Sequence, residues 1–197
     1  MEYREFRGVE GLVVAKVLED TTEKFETDAV RQFAGVNNIE KTKETASETK
    51  YYDNIPAIVI SAEGPDEIKL ICSVVDLEQD AYLEGKTYDE ATGAYIDGDG
   101  EPGYYAIGYI TKDTKGNKRY VWRYKGTLAK GAETHITEDN GTESNGVEWT
   151  FTGIKTTHKF TKGGSCKGIV VDESLGLADL TAFFEEVTTP DALKTKA

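Results

Sequence analysis

Few residues in this sequence are of the types that usually carry catalytic or metal chemistry. His135 and His158 each lie in a threonine-rich setting, with no second His or Cys at ligand spacing. Both therefore read as surface or strand-edge histidines rather than acid–base or metal residues. Cys72 closes the apolar run Ile68-Lys69-Leu70-Ile71-Cys72 and reads as a small buried hydrophobe. Cys166 has no C-x-x-C partner, and two cysteines do not build a disulfide framework. There is no G-x-S-x-G elbow. The run Gly163 to Gly168 is glycine-rich but precedes a strand pattern, so it lacks the helix N-terminus that would hold a phosphate. Asp97-Gly98-Asp99-Gly100-Glu101 begins like a calcium loop. It has Pro102 where the loop needs glycine and Gly108 where it needs glutamate, so it reads as an exposed acidic turn. Asn140-Gly141-Thr142 has the form of a glycosylation sequon and reads here as a turn. Carboxylates are many, and no sequence rule pairs two of them into a glycosidase dyad. The expectation is a protein that is not an enzyme, with no catalytic residue, no metal and no cofactor.

The elements that would hold any site are mostly strands, because the dominant period is two. Leu12 to Val17, Val36 to Glu44, Ala57 to Ile60, Ile68 to Val75, Tyr104 to Lys112, Lys118 to Leu128, Val147 to Thr152 and Ile169 to Val171 all read as strands. Glu63-Gly64-Pro65-Asp66 has turn composition, and Asp113 to Asn117 reads as a hairpin loop. In the clearest alternation, Tyr120, Trp122 and Tyr124 face a core, while Arg119, Val121, Arg123 and Lys125 face outward. Val147, Trp149 and Phe151 share a second apolar face. Two helices are expected. One runs from Asp76, as cap, to Glu84, with Gly85 ending it. The other is amphipathic: Leu177, Leu180, Phe183, Phe184 and Val187 form its stripe, Ser174 caps it and Thr188-Thr189-Pro190 stops it. Lys41 to Asn54 and Gly131 to Gly146 read as long polar loops, and loops of such length are usually functional. Residues 1–10 read as an N-terminal arm and 191–197 as a C-terminal tail on a single domain spanning 1–197.

Charge narrows the function classes. With 36 acidic against 23 basic residues the net charge is −13. So acidic a chain is poorly suited to neutralising phosphates or docking on an anionic membrane. No apolar run approaches a membrane span, and the charged opening Met1-Glu2-Tyr3-Arg4-Glu5 has no apolar leader. The chain is expected to fold in a cytoplasm and stay there, or leave inside something larger. At 197 residues, 38% of them hydrophobic, it can bury a core without disulfides.

Several phrases of the sequence resemble the major tail proteins of long-tailed phages of Gram-positive bacteria. They are Glu48 to Ile60, Lys86 to Asp97, Arg119 to Gly126, Thr150 to Ile154, Thr156 to Phe160 and Phe183 to Pro190. They occur in order from about Phe6 to Leu193, nearly the whole chain. The resemblance implies a mainly β fold, a β-sandwich or split barrel of tail-tube type with one flanking amphipathic α-helix and a long extended hairpin loop. It implies a structural virion protein whose hexameric rings stack into a tube that conducts DNA into the host. It is assembled in the host cytoplasm and located in the virion tail. The implied partners are further copies of the chain, the tape measure, the tail terminator and the baseplate or distal tail. DNA passes through the lumen without specific binding, and no membrane is involved.

In that family a hairpin between early strands reaches toward the next ring. The resemblance therefore assigns residues 41–54 to an inter-ring hairpin loop. Its candidate contact residues are Lys41, Lys43, Glu44, Glu48, Lys50, Tyr51, Tyr52, Asp53 and Asn54. The two tyrosines suit an interface as rigid amphipathic groups. The alternative is a β-sandwich adhesin or carbohydrate-binding module on a virion surface, with exposed Tyr104, Tyr105 or Tyr109 stacking on sugars.

Overall fold

The computed structural model describes residues 3–133, 135, 137 and 146–196. Most of the polar stretch 131–146, including the sequon, lies outside the described residues. The chain is 54% strand, and every strand pairing is antiparallel. The strands are β1 (Phe6–Asp20), β2 (Phe25–Thr27), β3 (Arg31–Gln32), β4 (Val36–Tyr52), β5 (Ile55–Cys72), β6 (Thr87–Asp89), β7 (Ala94–Ile96), β8 (Tyr105–Asp113), β9 (Lys118–Lys130), β10 (Val147–Gly153) and β11 (Gly168–Asp172). The main sheet runs β2-β1-β8-β9-β10-β5-β4, with β3 on β1 and β11 on β9. Residues 6–10, expected as part of an arm, open β1 and pair with the end of β8.

One core is enclosed by this sheet. Leu12 and Val14 of β1, Tyr105 and Ile107 of β8, Trp149 and Phe151 of β10 and Ile68 and Leu70 of β5 all meet there. Strands at opposite ends of the sheet share one core, so the sheet curls around it. The helix α1 (Leu77–Glu84) closes one end with Leu83. Asp76 caps it by accepting from the Gln79 N–H, and Gly85 ends it in the left-handed conformation, as the sequence predicts. A Cβ at Gly85 would lie 2.3 Å from the Glu101 carbonyl, so the position admits no side chain.

A second core covers the outer face of the same sheet. Trp122, Tyr124 and Ala106 pack there against Phe160, Phe183 and Val187. The aromatic face of β9 is therefore buried as expected, and Val121 on its opposite face is buried too. The outward basic face is corrected in part: Arg119 is exposed as expected, but Lys125 is paired with the buried Asp20 at 2.6 Å, and Arg123 is only 15% exposed. Asp20 also accepts from the Thr157 and His158 amides, so this pair pins the loop after β10. A bulge at Tyr124–Lys125, where Ala106 of β8 opposes two residues of β9, shifts the alternation. It lets Val121 and Leu128, an odd number of residues apart, enter the same core.

The amphipathic helix expected over 177–187 is not present. The segment forms successive turns, with the Phe183 and Glu185 amides donating three residues back. Its stripe is buried as the spacing demands, save Leu177, which is 70% exposed. Side-chain groups claim its main-chain acceptors. Trp122 Nε1–H and the Thr188 hydroxyl both donate to the Phe183 carbonyl at 2.9 Å, and the Tyr124 hydroxyl donates to that of Thr188. Asp179 accepts from the Thr181 amide, favouring a turn. Residues 191–196, expected as a tail, lie against the body. Asp191 accepts from the Thr161 and Lys162 amides, and Ala178 bridges Thr195.

Candidate functional site: the projecting hairpin

The stretch expected as a polar loop over 41–54 is strand. β4 and β5 pair from Val36↔Cys72 out to Tyr52↔Ile55. Asp53 and Asn54 form the two-residue turn, with φ of 51° and 62°. Both residues tolerate that left-handed backbone, and two such residues in succession match the twist of a tight hairpin. The expected turn at Glu63-Gly64-Pro65-Asp66 is also corrected. It lies within β5 as a bulge, with Gly64 and Pro65 opposite Glu44. Proline fits there because a bulge residue need not donate to the ladder.

Inside the bulge, β5 belongs to the core; beyond it, the hairpin stands alone. Every residue from Glu40 to Tyr52 and from Ile55 to Glu63 is exposed. The nine residues Ile55 to Glu63 reach roughly 30 Å beyond the bulge. Residues paired across the ladder share a face. One face carries Ala46, Glu48, Lys50 and Tyr52 with Ile55, Ile58, Ile60 and Ala62. A second irregularity at Ala57 returns Ile55 to the face of Ile58 and Ile60. Tyr52, Ile55, Ile58 and Ile60 are 62%, 65%, 47% and 52% exposed, an apolar stripe open to solvent. Glu48 and Lys50 pair with each other beside it. Tyr51, Thr49, Ser47 and Val59 line the opposite face.

The base of the hairpin is an ion cluster. Asp66 sits at the last inward position before the bulge, 2% exposed. Its carboxylate accepts from Lys167 Nζ at 2.7 Å and pairs with Lys41 Nζ at 2.8 Å, while an Arg123 guanidinium nitrogen lies 3.9 Å away. Lys167 Nζ also donates to the Gly64 carbonyl at 2.6 Å, fastening the bulge to the start of β11. Burial alone would raise the Asp66 carboxyl, but the hydrogen bonds and charges of Lys167 and Lys41 outweigh it and hold it below the ordinary range. Lys43 pairs with Glu63 across the bulge, which raises the amine and lowers the carboxyl.

The candidate residues thus divide by place. Lys41 and Lys43 belong to the base, Glu44 packs opposite Gly64, Glu48 and Lys50 lie mid-ladder, Tyr51 and Tyr52 point to opposite faces near the tip, and Asp53 and Asn54 are the turn. Sequence reasoning left out Ile55, Ile58 and Ile60, which carry the apolar face, and Asp66 and Lys167, which anchor it. The signal for the first group was the β-branched run itself, read only as a strand. The pairing of Asp66 with Lys167 spans a hundred residues and left no local trace. Of the tyrosines weighed for sugar stacking, Tyr105 and Tyr109 are buried, and Lys125 covers the ring of the half-exposed Tyr104. Among the described residues no group of three or more His, Cys, Asp and Glu could hold a metal ion, and no helix is long and apolar enough to cross a membrane. Compared with protein-family models and with curated proteins, the chain matches none.

Proposed function

We propose that this chain is a self-assembling structural subunit, of the kind that stacks in hexameric rings to form a phage tail tube. One observation carries the reading: a two-stranded hairpin projects about 30 Å from the body with an apolar face in water. An isolated two-stranded ribbon is marginally stable, and a long exposed strand pair with free edges invites pairing. Burying the stripe formed by Tyr52, Ile55, Ile58 and Ile60 against another copy satisfies both problems. The resemblance in the order of sequence phrases supports a tube in particular. A split-barrel body of tail-tube type agrees with a main antiparallel sheet that curls round one core and carries a second on its outer face. The net charge of −13 suits a conduit that repels phosphate. The virion, its tail proteins and passing DNA are the partners this reading implies.

The test is light-scattering mass as a function of concentration. The reading predicts growth from 21.7 kDa toward six copies, about 130 kDa, or beyond. A mass fixed at one copy up to millimolar concentration contradicts it. The adhesin alternative keeps little support with Tyr105 and Tyr109 buried. Binding on a glycan array would revive it.

A further inference from the structure

The charges of the body are segregated along β5. Around the hairpin base, Lys41, Lys43, Arg123, Lys155 and Lys167 border one depression. Only Glu63 and Asp66 oppose them there, leaving an excess of three positive charges. Arg123 is not satisfied within it: its Nε is buried with no hydrogen-bond partner, and Asp66 is 3.9 Å from the guanidinium. This happens in a chain of net −13. The opposite sign collects at the other end of β5. Residues 76–101, which follow Cys72, hold nine carboxylates against Lys86 alone, a net −8. Asp80 is paired with Lys130, and Asp97 with Lys86 at 3.0 Å. Asp76, Glu78, Glu90, Asp99 and Glu101 remain exposed.

The two patches cannot neutralise each other within one chain. Asp66 and Cys72 are six residues apart on one strand, roughly 20 Å, with α1 beyond Cys72. That exceeds the screening length of about 8 Å at physiological ionic strength. The hairpin projects on the basic side, so the basic depression and the acidic 76–101 segment lie toward opposite ends of β5. A contact between two different patches of identical chains is head-to-tail and propagates into rings or filaments.

We propose that the basic depression at the hairpin base receives the acidic 76–101 end of a second copy of this chain. This rests on the self-assembly reading and names the electrostatic half of the contact. The experiment reverses charge on exposed residues of each patch, Lys43→Glu with Lys155→Glu in one variant and Asp99→Lys with Glu101→Lys in another. Circular dichroism and thermal unfolding check the fold, and Lys155→Glu alone replaces the pair if Lys43→Glu unfolds. Each variant alone loses self-association by about tenfold or more at low salt, and an equimolar mixture regains pairs but not larger assemblies, because the unaltered depression of one variant receives the unaltered acidic end of the other while the two altered patches repel. Salt weakens the wild-type association in parallel. Folded variants that associate like wild type overturn this proposal while sparing self-assembly, as does a mixture as defective as its components. A wild type that never associates overturns both. Duplex DNA retained by wild type and released by Lys43→Glu with Lys155→Glu, with self-association unchanged, reassigns the depression to polyanions and also overturns it.

Discussion

Replacing Asp66 by Asn tests the claim that this carboxylate fastens the hairpin to the body. The substitution keeps shape and removes one charge. It leaves Lys167, whose side chain is 12% exposed, and Lys41, 32% exposed, without their counter-ion. Breaking a buried pair costs about 3–5 kcal/mol. Lys41 is the more exposed of the two and can turn to water, so the lower figure applies, about 3 kcal/mol. For a chain of this size that lowers the melting temperature by roughly 6–12 °C. The pH dependence carries a sign. The carboxyl is held below its ordinary value of 3.8 in the folded chain, so its contribution is fully present above that value. It is lost as pH falls through the folded-state value. Urea unfolding of wild type and Asp66→Asn should therefore show a constant gap from pH 7 to pH 5 that narrows below pH 4. Adding Lys167→Met to Asp66→Leu should recover only part of the loss, because it removes one unpaired charge while Lys41 and the largely buried Arg123 still lack their counter-ion. A gap below about 1 kcal/mol at pH 7, or one unchanged at pH 3, would refute the reasoning.

Three further outcomes follow from the packing. Ile58→Lys with Ile60→Lys removes two apolar groups worth about 1.5–3 kcal/mol each when fully buried, so self-association should vanish while the melting temperature of the body moves little. Light scattering and calorimetry read the two effects separately. Gly168→Ala places a Cβ 2.0 Å from the Trp122 carbonyl, where β11 meets β9, and should destabilise by about 1–3 kcal/mol in urea. Trp122→Phe deletes the donor to the Phe183 carbonyl and should cost about 1–3 kcal/mol, with faster proteolysis near residues 180–190 as the visible sign.

The strand content was legible because both faces obey simple alternation. Trp122 and Tyr124, and Trp149 and Phe151, lie in the cores that their period-two spacing requires. So was α1, whose cap residues act locally. What escaped depends on partners far away in the chain. The 177–187 stripe has helical spacing, and its burial is right, but donors on β9 take its carbonyls and the helix gives way to turns. The polar 41–54 stretch has little strand propensity of its own; it is extended because Asp53 and Asn54 turn the chain and the β-branched Ile58-Val59-Ile60 supplies its partner. The Glu63-Gly64-Pro65-Asp66 composition suits both a turn and a bulge, and the ladder on either side decides for the bulge. The candidate hairpin was therefore located while its apolar face and its ionic base were not.

Negative-stain electron microscopy of the purified wild-type chain at high concentration tests the central claim most directly. The account predicts rings with a central hole, or hollow tubes built by stacking them, that disappear when Ile58 and Ile60 are both changed to Lys. A field of dispersed single particles near 21.7 kDa, identical for wild type and variant, would contradict it.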